Sequence, residues 1–259
     1  MKYSISQISA FKACRRAYQL KYKYGIMPNF KAEALETGAD YHSYIESLYK
    51  GEFEPQNGTS KAHAMACAYQ KHIYPLFKVK TVEEAFEYPL TTDDTLIGRV
   101  DGIAEDGALV EHKSTGLNIT EQYEYDLLWN EQVLAYMLAY GVQTMYYTVC
   151  KKPTIRHKKD ETEEEFHDRM IEWYDDDTEN KIKILKIFRT EEEIRHFKTE
   201  LIHIIETEKL CKDDFDFYKC TSYCNMWGKR CEYSSICLNF DPEQEYIDFH
   251  KEERRTDGV

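Results

Sequence analysis

Asp101, Glu111 and Lys113 are the residues whose types and spacing most directly imply chemistry. They fall in Gly98-Arg-Val-Asp-Gly-Ile103 and Leu109-Val-Glu-His-Lys113, two short apolar segments separated by Glu105-Asp106-Gly107. Apolar residues on either side of a polar, glycine-containing break read as a β-hairpin. A three-residue loop with Gly107 in the left-handed conformation pairs 104 with 108, 103 with 109, 102 with 110 and 101 with 111. Asp101 then faces Glu111, and Lys113, two residues on, shares that face while Val110 and His112 point away. Two carboxylates and an ammonium on one strand surface suit a hard divalent cation beside a phosphodiester. A surface salt-bridge ladder is the plainer alternative. A second Glu-x-Lys, Glu179-Asn-Lys181, follows the acidic run Asp175–Asp177 without an Asp-bearing strand and reads as a solvated element end.

These elements must be positioned by others. Residues 4–24 read as one helix with Phe11, Cys14 and Tyr18 along a face, capped by Ser4 or Ser6. Residues 33–50 and 59–75 read as helices, and 82–90, 96–104 and 108–114 as strands. A helix over 121–141 and a strand over 144–151 follow. Asp160–Asp177 reads as an exposed acidic helix with Phe166, Met170, Ile171 and Trp173 as its apolar side, and Lys181–Arg189 as a strand. Thr190 with Glu193 has capping-box spacing for a helix to about Lys209. Glu87, just before the hairpin, is a candidate acidic edge of the site or a strand-face residue.

Gly98-Arg-Val-Asp-Gly-Ile103 with Glu111-His-Lys113 resembles the PD-(D/E)XK nucleases, specifically the RecB-like branch. No proline precedes Asp101, a departure this branch often shows. The resemblance extends to Gly38-Ala-Asp-Tyr-His42, which matches the branch's helix-borne histidine and implies His42 as a further metal ligand. It extends also to Gln132 and Tyr136, four apart and so on one helix face. What it implies is an α/β, restriction-endonuclease-like mixed sheet flanked by helices, and a Mg²⁺- or Mn²⁺-dependent DNA exonuclease acting on single-stranded ends. Asp101 and Glu111 would hold the metal with His42, and the His112 backbone carbonyl could add a ligand. Lys113 would position the attacking water, with Gln132 and Tyr136 orienting DNA or the lysine. Relatives of this kind serve bacterial and phage recombination, repair and CRISPR adaptation, which implies recombination or replication proteins as partners. A DNA-binding or recruitment module of a larger complex is the alternative, and its mark would be a broken catalytic motif.

Eight cysteines form the second constellation: Cys14, Cys67, Cys150, Cys211, Cys220, Cys224, Cys231 and Cys237. The N-terminal residues show no secretory signal, so a reducing cytoplasm is expected, where clustered thiols read as metal ligands. The spacings from Cys220 to Cys237 lack the Cys-x2-Cys knuckle of most zinc sites. The resemblance to iron-sulfur members of the branch implies a [4Fe-4S] cluster on Cys14, Cys224, Cys231 and Cys237, with Cys220 spare or competing with Cys224. Zinc is the other metal to weigh. Either would staple the N- and C-terminal regions together. Cys67, Cys150 and Cys211 read as buried packing residues.

With 259 residues and no Gly/Ser/Pro-rich linker, one domain over 1–240 and a polar tail over 241–259 are expected, with no membrane span. The net charge of −13 opposes phosphate binding in sum, so any nucleic-acid path must come from local basic runs. Lys12, Arg15, Arg16, Lys21 and Lys23 form one run, and Lys151, Lys152, Arg156, Lys158 and Lys159 another.

Overall fold

The computed structural model describes residues 1–29, 33–226, 230–238 and 249–252. In chain order the elements are β1 Lys2–Ser4, α1 Ile5–Ala13, α2 Arg15–Tyr18, β2 Ile26–Pro28, α3 Glu33–Lys50, α4 Lys61–His72, β3 Val79–Pro89, β4 Thr95–Ala104 and β5 Leu109–Thr115. They continue with α5 Glu121–Asp126, α6 Glu131–Tyr140, β6 Thr144–Lys151, α7 Glu163–Glu172, α8 Thr178–Lys181, β7 Ile182–Phe188, α9 Glu191–Leu210, α10 Ser234–Leu238 and β8 Phe249–Lys251. The strand order is β1-β4-β5-β6-β7, with β3 also pairing with β4. β1–β4 and β5–β6 are parallel while β4–β5 and β6–β7 are antiparallel, so the sheet is mixed as expected.

The chain forms two compact units. One comprises Met1–Lys31, Glu87–Gly98 and Arg195–Val259, the other Ala32–Phe86 and Arg99–Ile194, so β3 and β4 each contribute residues to both. In the second unit β5, β6 and β7 carry α3 and α4 on one face. Tyr41, Ile45 and Leu48 of α3, Met65, Ala68 and Tyr69 of α4, and Cys150 and Ile182 of the strands form its core. Every residue from Ala62 to Tyr69 is buried, because α4 is covered by α3, the strands and α7.

In the first unit, Ser4 caps α1 by accepting from the Gln7 N–H. The single helix expected over 4–24 is broken. Cys14 is extended, with φ −158° and ψ 112°, and its sulfur accepts the Cys220 N–H at 3.4 Å. A tertiary contact there overrides local helix propensity. The helix expected over 121–141 divides in the same way at Asn130, whose Oδ1 accepts from the N–H groups of Gln132 and Val133. In the acidic stretch at 160–177, Met170 of the expected apolar side is buried, and His167 and Tyr174 are buried with it. Thr190 and Glu193 make the expected reciprocal cap. The polar tail contains β8, which pairs antiparallel with β2; residues 241–248 and 253–259 lie outside the described residues. No helix among the described residues is long and apolar enough to cross a membrane.

Candidate active site

The β4–β5 hairpin sets the site's frame. Gly107 adopts φ 84°, and Asp106 Oδ1 accepts the Ala108 N–H at 3.1 Å, closing the turn. Gly102 pairs with Val110 and Ile103 with Leu109, in the register read from the sequence. The ladder stops there. Rather than continuing to a main-chain partner, the His112 N–H donates to Asp101 Oδ2 at 2.6 Å, and β5 goes on in parallel pairing with β6. Asp101 is thereby fixed by the strand that carries Glu111 and Lys113.

Helix α3 brings His42 against this edge, with Nδ1 3.4 Å from Asp101 Oδ1. Gly38, one turn earlier, lies where an added Cβ would stand 3.3 Å from Ser114 Oγ, so a glycine lets α3 approach β5 closely. This is a physical reason for the Gly-x-x-x-His spacing. Glu111 is 2% exposed; its Oε1 is paired with the Lys113 ammonium, and its Oε2 is buried without a hydrogen-bond partner among the described residues. An orphaned carboxylate oxygen is expensive unless a cation or donor meets it.

Glu83 completes the cluster and was not singled out by sequence. Its carboxylate, the His42 ring and Asp101 each offer a ligand atom within 4.8 Å of the others. The main chain at Glu83 has φ 52°, a left-handed conformation inside β3. Before it, residues 79 and 81 are the more buried; after it, 86 and 88 are. One residue out of phase is what a bulge does to a strand, and it re-aims the side chain. The doubled Glu83-Glu84, where the alternation of β3 breaks, is the sequence signal. Glu87, the acid proposed from sequence, is instead exposed and pairs with Lys2 at 2.6 Å.

The electrostatics are those of a crowded acidic site. Burial disfavours the Asp101 charge, but the His42 hydrogen bond and charge, with His112, outweigh it and hold the carboxyl at about 2. Burial and then the Asp101 charge push Glu111 up to about 7 despite Lys113. Glu83 is raised by burial, then by Asp101 and Glu46. His42 is raised because Asp101 prevails over burial, and Lys113 is raised because Glu111 does. Carboxylates this close shift apart until a cation joins them. The grouped donors, the Glu83 and Asp101 carboxylates and the His42 imidazole, with Glu111 on the adjoining strand, fit a magnesium- or manganese-class ion.

The other nominated residues separate by role. Gln132 Nε2 donates to the Tyr136 hydroxyl at 2.7 Å. The Tyr136 phenol is raised first by burial and then by Glu111, which places it beside the acids. The His112 imidazole turns away from them, 2.7 Å from Thr148 Oγ1 and stacked on Tyr49 with centroids 6.0 Å apart. Burial keeps it neutral, at about 4. The second Glu-x-Lys ends α8, where Lys181 Nζ reaches the Trp173 carbonyl at 2.5 Å. Several basic residues are engaged in packing: Arg15 lies over the Phe11 and Tyr218 rings, Lys23 pairs with Glu208, and Lys152 donates to the Ala34 carbonyl.

The profile of the PD-(D/E)XK nuclease superfamily matches residues 2–238. The chain belongs to this superfamily. No curated protein matches it in sequence. Among solved structures it is similar to an alkaline exonuclease from Laribacter hongkongensis, at 15% identity over 80% of this chain and 88% of that one, with TM-score 0.39. It is similar also to a phage related exonuclease from Haemophilus somnus 129PT, at 13% identity over 63% of this chain and 78% of that one, with TM-score 0.36. In this PD-(D/E)XK chain the acidic and lysine motif residues thus lie together in one unit, with His42 beside them.

Cys14, Cys220, Cys224, Cys231 and Cys237 belong to the first unit. Burial raises the Cys231 thiol, with Cys237 and Cys14 adding to it. Burial raises Cys237 too, with Cys14 and Cys224 among the groups that add to it against Lys219 and Arg16. Cys231 and Cys237 pack on Leu20, Ile26, Tyr233, Ile236 and Phe249. The Cys220 sulfur instead meets Ser222 Oγ at 3.1 Å. The Cys220 N–H reaches the Cys14 sulfur, which brings Cys14 to the C-terminal segment.

Proposed function

We propose that this chain is a metal-dependent DNA exonuclease that hydrolyses phosphodiester bonds at single-stranded ends, in recombination, repair or phage DNA metabolism. The observation that carries this reading is the grouping of His42, Glu83 and Asp101, whose ligand atoms lie within 4.8 Å of one another, with the Glu111–Lys113 pair on the adjoining strand and one Glu111 oxygen buried without a hydrogen-bond partner among the described residues. A bound Mg²⁺ or Mn²⁺ would supply an acidified water and neutralise charge on the phosphate. Asp101, Glu111, Glu83 and His42 would hold it, with the His112 carbonyl as an added ligand.

The chain's own groups do the rest. The His112 N–H and the His42 ring keep Asp101 ionised and aimed. Lys113, held by Glu111 on the same strand, presents its ammonium to the attacking water and the developing phosphorane charge. Tyr136 and Gln132 form a hydrogen-bonded edge that orients the lysine or the scissile strand. The cysteines act apart from this chemistry. Cys14, Cys224, Cys231 and Cys237 would ligate a [4Fe-4S] cluster that closes the N-terminal helices onto the C-terminal segment. The Cys220 N–H bond to the Cys14 sulfur, which joins the N-terminal helices to the C-terminal segment, supports the staple, and the Cys220 sulfur itself turns to Ser222.

The test is cleavage of end-labelled single- and double-stranded DNA with Mn²⁺, Mg²⁺ or EDTA, using Asp101→Ala, Glu111→Ala and Lys113→Ala. Each variant should fold and lose most metal-dependent cleavage. Full-rate cleavage in all three would place the active site elsewhere. Release of mononucleotides from labelled ends, rather than internal fragments, separates exonuclease from endonuclease action.

A further inference from the structure

A second cluster of metal-ligating side chains joins α4 to α7. His63 and Cys67, four apart on α4, meet His167 of α7, and all three are buried. One ligand atom of each falls within 4.8 Å of the others. His63 Nδ1 stands 2.9 Å from His167 Nε2 and 3.7 Å from Cys67 Sγ. We propose that His63, Cys67 and His167 bind a zinc-class transition-metal ion that pins α4 to α7. This goes beyond the nuclease reading and does not depend on it.

The proton bookkeeping of the two rings supports an ion. His63 Nε2 lies 3.1 Å from the Glu54 carbonyl, an acceptor only, so that nitrogen carries the proton and Nδ1 offers a lone pair to the cluster. His167 Nδ1 faces the Asp168 carboxylate at 3.7 Å, which favours a proton there and a lone pair on Nε2. Two lone pairs and a sulfur then point at one another. Filling the space with a hydrogen bond alone moves the His167 proton to Nε2 and leaves a bare nitrogen facing a carboxylate. A cation satisfies every group at once, with each outer N–H on an oxygen, the usual arrangement behind a metal-bound histidine.

The dimensions agree. Ligand bonds of about 2.0–2.1 Å to nitrogen and 2.3 Å to sulfur, at tetrahedral angles, separate N and S by about 3.6 Å and the two nitrogens by about 3.3–3.4 Å. The first matches the observed spacing, and the second asks the rings to part by a few tenths of an ångström. The chemistry, one thiolate and two imidazoles, selects zinc or a similarly soft ion over magnesium. Tyr44 and Phe53 flank the His63 ring at 5.2 and 5.1 Å between centroids. The main chain at Gly58 lies so close that an added Cβ would stand 2.5 Å from His63 Cδ2. These groups narrow the site, so that the ion would take a single further small donor, such as one water, to complete a four-coordinate shell. Burial, then the Asp168 charge, lifts the Cys67 thiol to about 11, so binding releases a proton.

The experiment compares wild type with Cys67→Ser and His167→Ala after loading with Zn²⁺ or Co²⁺ and gel filtration. Wild type should retain one more equivalent of metal than either variant. Its Co²⁺ derivative should show thiolate-to-cobalt charge-transfer absorption that Cys67→Ser lowers and Cys220→Ser does not. Equal metal content and identical Co²⁺ spectra in folded variants overturn the proposal. Should the variants not fold, differential alkylation of wild type read by peptide mass spectrometry decides. Labelling of Cys67 relative to Cys150 should slow several-fold in Zn²⁺ compared with EDTA, and an unchanged ratio overturns the site.

Discussion

Glu83 sits in a conformation that disfavours its own side chain, and glycine and alanine at that position separate the backbone from the carboxylate. With φ 52°, any residue bearing a Cβ is strained there by about 1–2 kcal/mol. Glycine removes that strain but loses about 0.5–1 kcal/mol relative to alanine through its freer unfolded chain. Glu83→Gly should therefore be more stable than Glu83→Ala by about 0.5–1 kcal/mol, roughly 2–4 °C in midpoint at the upper end for a chain of this size. Both variants also lose a carboxylate that Asp101 opposes, which favours the metal-free fold. Activity should move the other way. Loss of a ligand that stabilises transition-state charge by about 3 kcal/mol lowers cleavage about 100-fold in both variants. Urea denaturation, thermal melts with and without Mn²⁺, and end-labelled DNA cleavage read the three effects. Mn²⁺ should raise the wild-type midpoint more than that of either variant, by linkage. A Glu83→Gly protein no more stable than Glu83→Ala refutes the strain argument. Wild-type Mn²⁺ response and cleavage in Glu83→Ala refute the ligand role.

His42→Ala should weaken metal-dependent cleavage at least tenfold and shift its Mn²⁺ dependence upward, while Gln132→Ala and Tyr136→Phe slow it without abolishing it; a metal titration of each variant's rate distinguishes them. Cys14→Ser should lose iron, sulfide and visible absorbance and melt earlier, whereas Cys220→Ser keeps them; full iron content in Cys14→Ser removes the N-to-C staple. Asp94 pairs with the partly exposed Lys209 at 2.5 Å, and against the effect of burial Lys209 and Thr91 lower its carboxyl. That stabilisation is present above the ordinary carboxylate value of about 3.9 and is lost as pH falls through the depressed native value. Asp94→Asn should thus cost about 1–2 kcal/mol at neutral pH, with the difference from wild type closing in acid denaturation curves; a pH-independent difference would point to packing instead.

The hairpin was legible because everything that fixes it is local. Glu105-Asp106-Gly107 sets the turn, the turn sets the register, and the register sets the face shared by Asp101, Glu111 and Lys113. The strand at 144–151 and the Thr190 cap were legible for the same reason. Glu83 was not, because a strand pattern assumes a constant phase and one left-handed residue reverses it; Glu87 stood out only for its place just before the hairpin. Cys14 shows the opposite failure. The residues around it favour helix, and only the distant Cys220 N–H explains why the chain extends there. The break at Asn130 could have been anticipated, since asparagine is among the preferred N-caps. The pairing of His63 and Cys67 with His167 was hidden because 167 − 67 = 100 positions of chain separate His167 from Cys67.

The short turn between β4 and β5 also bears on the order in which the site is made. Asp101 and Glu111 are joined by a loop closed within the hairpin, a contact of the kind that forms in about 1–10 μs. His42 lies 101 − 42 = 59 positions away and arrives only when α3 docks. A half-folded chain therefore owns its two motif carboxylates before it owns the histidine that keeps Asp101 ionised. Cation capture can then precede completion of the site, and a divalent ion present during refolding would act as an early template, visible as faster protection of β4 and β5 amides in pulsed hydrogen exchange.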